Sequence, residues 1–170
     1  DRNPVMSKVV PMTIAKDLSR APRRQTLRSV VRCDGLGLHS GKRISMALHP
    51  AMDGGIVFRR TDLGVDIPAR WDMVVDTQLC TVIGRDGATV GTIEHLMAAL
   101  AATGVDDCVV EIDGGEVPAM DGSAAPFIFL IECAGLRDAG GPRRAIELTA
   151  PVRVDDGDRS ATLLPNASGD

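Results

Sequence analysis

In TIEHLMAALAATGV, residues 92–105, a glutamate stands directly before a histidine at the head of an apolar, alanine-rich run. A carboxylate and an imidazole are side chains suited to moving protons near neutral pH, and the imidazole is also a metal donor. Glu94 and His95 therefore have two readings. A carboxylate in the first turn of a helix is stabilised by the helix dipole by roughly 0.3–1 kcal/mol, which explains Glu94 without any chemistry. His95, pointing near Ala98, Ala99 and Ala102, reads as a partly buried, hydrogen-bonded imidazole more readily than as a ligand. A zinc helix of the form H-E-x-x-H carries two ligands one turn apart, and here the second His or acid is missing at that spacing.

The other histidines are His39, in the glycine-rich turn GLGLHSGK, and His49, at the end of a strand before Pro50. A catalytic zinc takes three protein ligands and keeps a position open for water. Three histidines suffice by count, but no local spacing supports that trio. Arg59 and Arg60 in FRRTDL read as a strand with solvated charges in preference to a phosphate clamp. Asp121 in MDGSAAP reads as the residue that shapes the turn before a helix.

The elements that must carry these residues follow from turn chemistry and periodicity. Asp-Gly dipeptides at Asp34-Gly35, Asp53-Gly54, Asp86-Gly87, Asp113-Gly114, Asp121-Gly122 and Asp156-Gly157 mark turns, because both residues tolerate positive φ. Between them TLRSVVRC, RISMALHP, GIVFRRTD and DDCVVEID read as strands, and LCTVIGRDGATVGT as a hairpin turning at Asp86-Gly87. Two segments read as helices. The first is capped by Thr92, runs to Thr103 and ends at Gly104; Ile93, Leu96, Met97 and Leu100 form its apolar face, and its many alanines predict burial around most of its circumference. The second is capped by Ser123, tolerates Pro126 in its first turn and ends at Gly135, with Phe127, Leu130, Ile131 and Ala134 as its buried stripe.

This order predicts an α+β fold, a two-layer sandwich in which two helices lie on one face of a mostly antiparallel sheet. Residues 1–24 read as a poorly ordered N-terminal extension and residues 25–140 as the first domain. Residues 141–170 would open an incomplete second domain, with two strands in 144–164 about Asp156-Gly157.

The chain has 170 residues, 44% of them apolar and 25% charged, a globular composition. Ten of the 19 Lys and Arg fall within residues 1–43, against three of the 23 acids. That basic start could meet an anion, but an acidic total and 2% aromatic residues argue against nucleic acid. No run of roughly 18 apolar residues is available to cross a membrane. Cys33, Cys80, Cys108 and Cys133 are widely spaced, which fits reduced thiols and a cytoplasmic protein better than a disulfide framework.

TLRSVVRCDGLGLHSGK, GIVFRRTDL, DTQLCT, TIEHLMAALAATGVDD, EVPAMDGSAAPF and VRVDDGD, in this order and at these separations, closely resemble the N-terminal half of the UDP-3-O-acyl-N-acetylglucosamine deacetylases, the LpxC family. The resemblance covers about residues 25–160. It implies a zinc-dependent amidohydrolase of lipid A biosynthesis acting on a UDP-linked, O-acylated glucosamine. By resemblance, His95 is a ligand of Zn2+, Glu94 is the general base that activates the attacking water, and Leu79 and Cys80 line the catalytic pocket. It also implies that the remaining zinc ligands, a catalytic histidine and most contacts to the substrate lie beyond residue 170, in a C-terminal domain, so that this chain alone is inactive. Gln78, Met97 and Asp107 depart from the residues usual in the family. The competing reading is a non-catalytic binding or interaction module built from the same half.

Overall fold

The computed structural model describes residues 22–143 and 148–165. Strand alternation is clearest in RISMALHP, where Ile44, Met46 and Leu48 point inward along β3 (Arg43–Pro50), and in CVVEI, where Cys108, Val110 and Ile112 do so along β9 (Cys108–Ile112). A strand buried on one face places every second side chain in the core. These two strands form the centre of a five-stranded sheet. β2 (Val31–Leu36) lies outside β3, while β4 (Ile56–Arg60) and β5 (Val65–Pro68) follow on the other side of β9, in the order β2-β3-β9-β4-β5. All neighbours are antiparallel except β4 and β9, which pair in parallel from Ile56↔Cys108 to Arg60↔Ile112.

Two helices, α1 (Glu94–Thr103) and α2 (Ala125–Ala134), pack against each other and close the core with Leu96, Ala99, Leu100, Phe127, Ile131 and Ala134. Phe58, Phe127, Leu48 and Leu100 are at most 1% exposed. Each such side chain contributes roughly 1.5–3 kcal/mol through removal from water. The expected α+β architecture with a mostly antiparallel sheet is the observed one.

The smaller pieces differ from the sequence reading. TLRSVVRC is two strands: β1 (Arg23–Leu27) leaves the main sheet to pair with β10 (Leu136–Pro142), and the chain breaks at Arg28–Val30 before β2. Asp34-Gly35 is no turn. It lies inside β2, where a Cβ on Gly35 would stand 2.8 Å from the Cβ of Pro118, so the glycine serves close approach. Asp86-Gly87 does turn as expected, with φ of 51° and 78°, between β7 (Val82–Arg85) and β8 (Ala88–Val90); β6 (Val74–Asp76) completes that small sheet after a short 3-10 turn at Trp71–Met73.

Arg23–Gly141 form one compact unit. The second unit contains a hairpin of β11 (Val152–Asp156) and β12 (Arg159–Leu163), paired from Val152↔Leu163 to Asp156↔Arg159 about Asp156-Gly157. Residues 1–21, most of the expected extension, and 144–147 of the expected strand lie outside the described residues; Arg23 and Arg24 already belong to β1.

Candidate functional site

Helix α1 starts at Glu94, and both Glu94 and His95 are half-buried. Its flanks differ from expectation. Thr92 does not cap it: the capping position is Ile93, which gives no side-chain hydrogen bond, while Thr92 is buried with φ of 56° and its hydroxyl donates to Glu116 Oε1 at 3.0 Å. A β-branched residue in the left-handed region costs roughly 1–2 kcal/mol, so tertiary contacts must hold it there. At the other end Gly104, φ 79°, terminates α1 as expected. The helix is not buried around most of its circumference either, since Ala98, Ala101 and Ala102 are exposed. Alanine fits both a core and a solvated face, which is why composition misjudged this.

In α2 the capping position is Ala124, not Ser123. The Ser123 hydroxyl nevertheless accepts from the N–H of Ala125, the first residue of α2, at 3.2 Å while donating to Asp121 at 2.8 Å, and Asp121 also accepts from the Ser123 N–H at 2.9 Å. Asp121 thus shapes the turn, as read from sequence.

The Thr81 N–H approaches both oxygens of the Glu94 carboxylate, at 3.3 and 3.4 Å. These bonds are long, and they leave Glu94 with spare acceptor capacity. Cys80 precedes Thr81, and a Cβ on Gly91 would touch the Cys80 sulfur at 3.5 Å, so the DTQLCT segment runs beside the approach to α1. Leu79, Cys80 and Gln78 line an open cavity of about 660 Å3, with His39, Arg60, Thr92 and Glu116 on its other walls. Leu79 is 83% exposed there. Met97 packs against the core instead, and Asp107 lies away from the cavity, fully buried, paired with Arg24 and accepting from the Gly55 N–H at 2.9 Å.

Glu116 escaped the sequence reading. It is 6% exposed, and its Oε1 accepts from the His39 N–H at 2.9 Å as well as from Thr92, while Oε2 accepts from the Ser40 N–H at 2.9 Å. Burial pushes a carboxyl pKa up, but these donors, with the Ser40 hydroxyl, outweigh it and hold Glu116 down to about 2. His39 sits, exposed, in the turn between β2 and β3, as expected.

The FRR of FRRTDL lies in a strand, as expected, but its charges are not both solvated. Arg60 is not solvated: it is 8% exposed, its guanidinium grips Asp62 at 2.8 and 2.7 Å and donates to the Thr89 carbonyl at 2.5 Å. Arg59 is half-buried against Asp66 at 2.8 and 2.9 Å. Such paired forks are spoken for by carboxylates. His49 lies 2.9 Å from Glu111 on β9. Among the described residues no group of three or more His, Cys, Asp or Glu side chains could hold a metal ion, so the three histidines do not assemble a site. The cysteines Cys33, Cys80, Cys108 and Cys133 are free. No helix among the described residues is long and apolar enough to cross a membrane.

The molecule is an α+β sandwich in which the acid–imidazole pair heads one helix; neither Glu94 nor His95 lines the cavity, although Gly91 and Thr92 just before them do, and no complete metal donor set occurs among the described residues. The sequence pattern of the family described as LpxC, UDP-3-O-acyl N-acetylglycosamine deacetylase, matches residues 24–169. The chain belongs to that family. It is 53% identical over 145 residues to the UDP-3-O-acyl-N-acetylglucosamine deacetylase of Myxococcus xanthus, covering 84% of this chain and 46% of that protein. The corresponding protein of Acidithiobacillus ferrooxidans is 50% identical over 146 residues, 84% of this chain and 48% of its own length. That of Photobacterium profundum is 46% identical over 147 residues, with 84% and 48% covered. The chain thus spans about half the length of the curated relatives it matches.

Proposed function

We propose that this chain is the N-terminal part of a cytoplasmic, zinc-dependent deacetylase that removes the acetyl group of UDP-3-O-acyl-N-acetylglucosamine in lipid A biosynthesis, with Glu94 as general base and His95 as one zinc donor. The observation that carries this reading is the placement of Glu94 and His95 at the head of α1, with Glu94 facing the Thr81 N–H next to Cys80 and Leu79 on the cavity wall.

The described residues do not fit a complete zinc site, because a catalytic zinc needs three protein ligands and no such group occurs among them. His95 fits as one donor, with the others expected beyond residue 170. When bound, zinc supplies Lewis acidity toward the amide carbonyl and the attacking water. The chain's own share is proton handling and shaping. Glu94, held by one long-reaching N–H, keeps lone pairs free to take a proton from water. Glu116 has the opposite environment: its oxygens are filled by donors and its pKa lies far below neutrality, so it serves poorly as a base. The two carboxylates, of which Glu116 alone lines the cavity, are thereby assigned different tasks. Leu79 and Cys80 would line the substrate pocket, and Cys80 would take no covalent part.

The test is Glu94→Gln in the full-length protein that carries this chain. Acetate release from UDP-3-O-acyl-N-acetylglucosamine should fall about 10²–10⁴-fold with zinc still bound, the range of a lost general base. Loss of zinc in place of rate would make Glu94 structural. Retention of full rate would overturn Glu94 as the base, and no acetate release by the unaltered protein would favour the interaction module.

A further inference from the structure

The walls of the cavity are tied together at one atom group that catalysis does not use. The turn Gly37–Lys42 is closed by its own backbone, with the Gly37 N–H donating to the Lys42 carbonyl at 2.9 Å and the Gly41 N–H to the Gly37 carbonyl at 3.0 Å. It is fastened to the rest of the domain through the Glu116 carboxylate, which receives the His39 and Ser40 N–H groups. The same carboxylate receives the Thr92 hydroxyl, two residues before Glu94. The backbone on either side repeats the link: Gly91 N–H donates to the Gly115 carbonyl and Val117 N–H to the Gly91 carbonyl, both at 3.0 Å. Gly37 leaves room for this approach, since a Cβ there would stand 2.4 Å from Glu116 Oε2.

The geometry points to Glu116 as a positioning residue: a buried carboxylate that clamps the 37–42 turn to Thr92 and so fixes where α1 begins and how Glu94 and His95 are aimed.

This rests on the proposed roles of Glu94 and His95. Thr92 stands at a positive φ that threonine adopts at a cost, and its capping role is lost to Glu116. Ile93 gives the helix no side-chain cap, so the contacts of Thr92 set the first turn. Releasing Thr92 would let that turn relax, and displacement of a catalytic group by an ångström costs about 10²-fold in rate. Filled by three partners, Glu116 is suited to hold geometry.

The experiment compares Glu116→Gln, Thr92→Val and Thr92→Ser in the full-length, zinc-loaded protein. Acetate release, KM, zinc per chain and Tm are measured together. Glu116→Gln and Thr92→Val should each lower kcat about 10–100-fold, with KM within about threefold and zinc content unchanged. Thr92→Ser keeps the hydroxyl and should restore most of the rate. The double variant Glu116→Gln/Thr92→Val should be no slower than the slower single one, because both break the same contact. A Glu116→Gln protein within twofold of the unaltered kcat overturns the inference, as does a rate loss accounted for by the fraction unfolded. A second readout does not depend on activity: in the 170-residue chain, backbone amide NMR shifts of Glu94 and His95 should move in Glu116→Gln along with those of His39 and Ser40. If only His39 and Ser40 move, the clamp does not reach the helix and the inference is wrong. If the unaltered full-length protein releases no acetate, the functional assignment fails and the amide shifts still decide whether Glu116 sets the helix start.

Discussion

Gly37 and Glu116, 79 positions apart in the chain, approach so closely that a methyl group on the glycine would lie 2.4 Å from the glutamate Oε2 and 2.3 Å from the Ser40 hydroxyl oxygen. Glycine is required here by crowding, since Gly37 is absent from the positive-φ residues. Gly37→Ala should therefore cost about 1–3 kcal/mol by overpacking, read as a fall of several degrees in Tm. Gly41→Ala, at φ 61° with open space around it, should cost about 1 kcal/mol for its backbone alone. The two differ in coupling. Part of the Gly37→Ala cost should vanish in a Glu116→Ala background, and the Gly41→Ala cost should not.

Glu116 also makes the domain sensitive to acid. Its folded pKa of about 2 lies below the ordinary 4.5. The unfolded chain therefore binds the proton more readily, and the ionised form stabilises the fold fully above about pH 4.5. That stability is lost as pH falls from about 4.5 through about 2, and amounts to about 3 kcal/mol at 1.36 kcal/mol per unit. Denaturant unfolding of Glu116→Gln between pH 6 and 2, set against the unaltered chain, should show a flatter acid limb over roughly this window.

How far the sequence carries depends on whether a residue's partners are near it. β3 was legible at both ends because alternation and Pro50 are local, and the hairpin at Asp86-Gly87 because the turn residues sit between the strands they join. β10 was not: LRDAGGP has two glycines and a proline, and it is a strand because β1 lies beside it. Thr92 reads locally as a cap, and Glu116 overrides that from 24 residues away. Glu116 itself, in GGEVP, belongs to no periodic stretch, and its His39 and Ser40 partners are 77 and 76 residues distant. The pair Glu94 and His95 was visible by type. The nearness of Glu94 to Thr81 required the fold.

The four thiols should separate by environment. Cys108 is fully buried, and burial pushes its thiol up to about 12; burial, then Asp34, also raises Cys33. Thiolate is the reactive form, so both should resist alkylation in the folded chain. Cys133 is exposed on α2 and should label first. Mass spectrometry after brief iodoacetamide treatment checks the order, and labelling of Cys108 before Cys133 would contradict the burial described.

Asp107 offers the sharpest stability test, because it is a fully buried acidic side chain paired with Arg24. The aspartate is fully buried at the head of β9, held by the Arg24 guanidinium and the Gly55 N–H, with its second oxygen unpartnered among the described residues. A buried charge that loses its counterion keeps its desolvation cost without the compensating attraction. Arg24→Met should thus destabilise by about 3 kcal/mol in urea unfolding. Asp107→Asn keeps an acceptor for Gly55 and leaves Arg24 its contact with Asp53 at 3.2 Å, so it should cost less. The decisive variant is the double one. If Arg24 serves chiefly to neutralise Asp107, Arg24→Met/Asp107→Asn recovers most of the loss seen in Arg24→Met alone; additive losses would show that Arg24 contributes by packing β1 and not by charge.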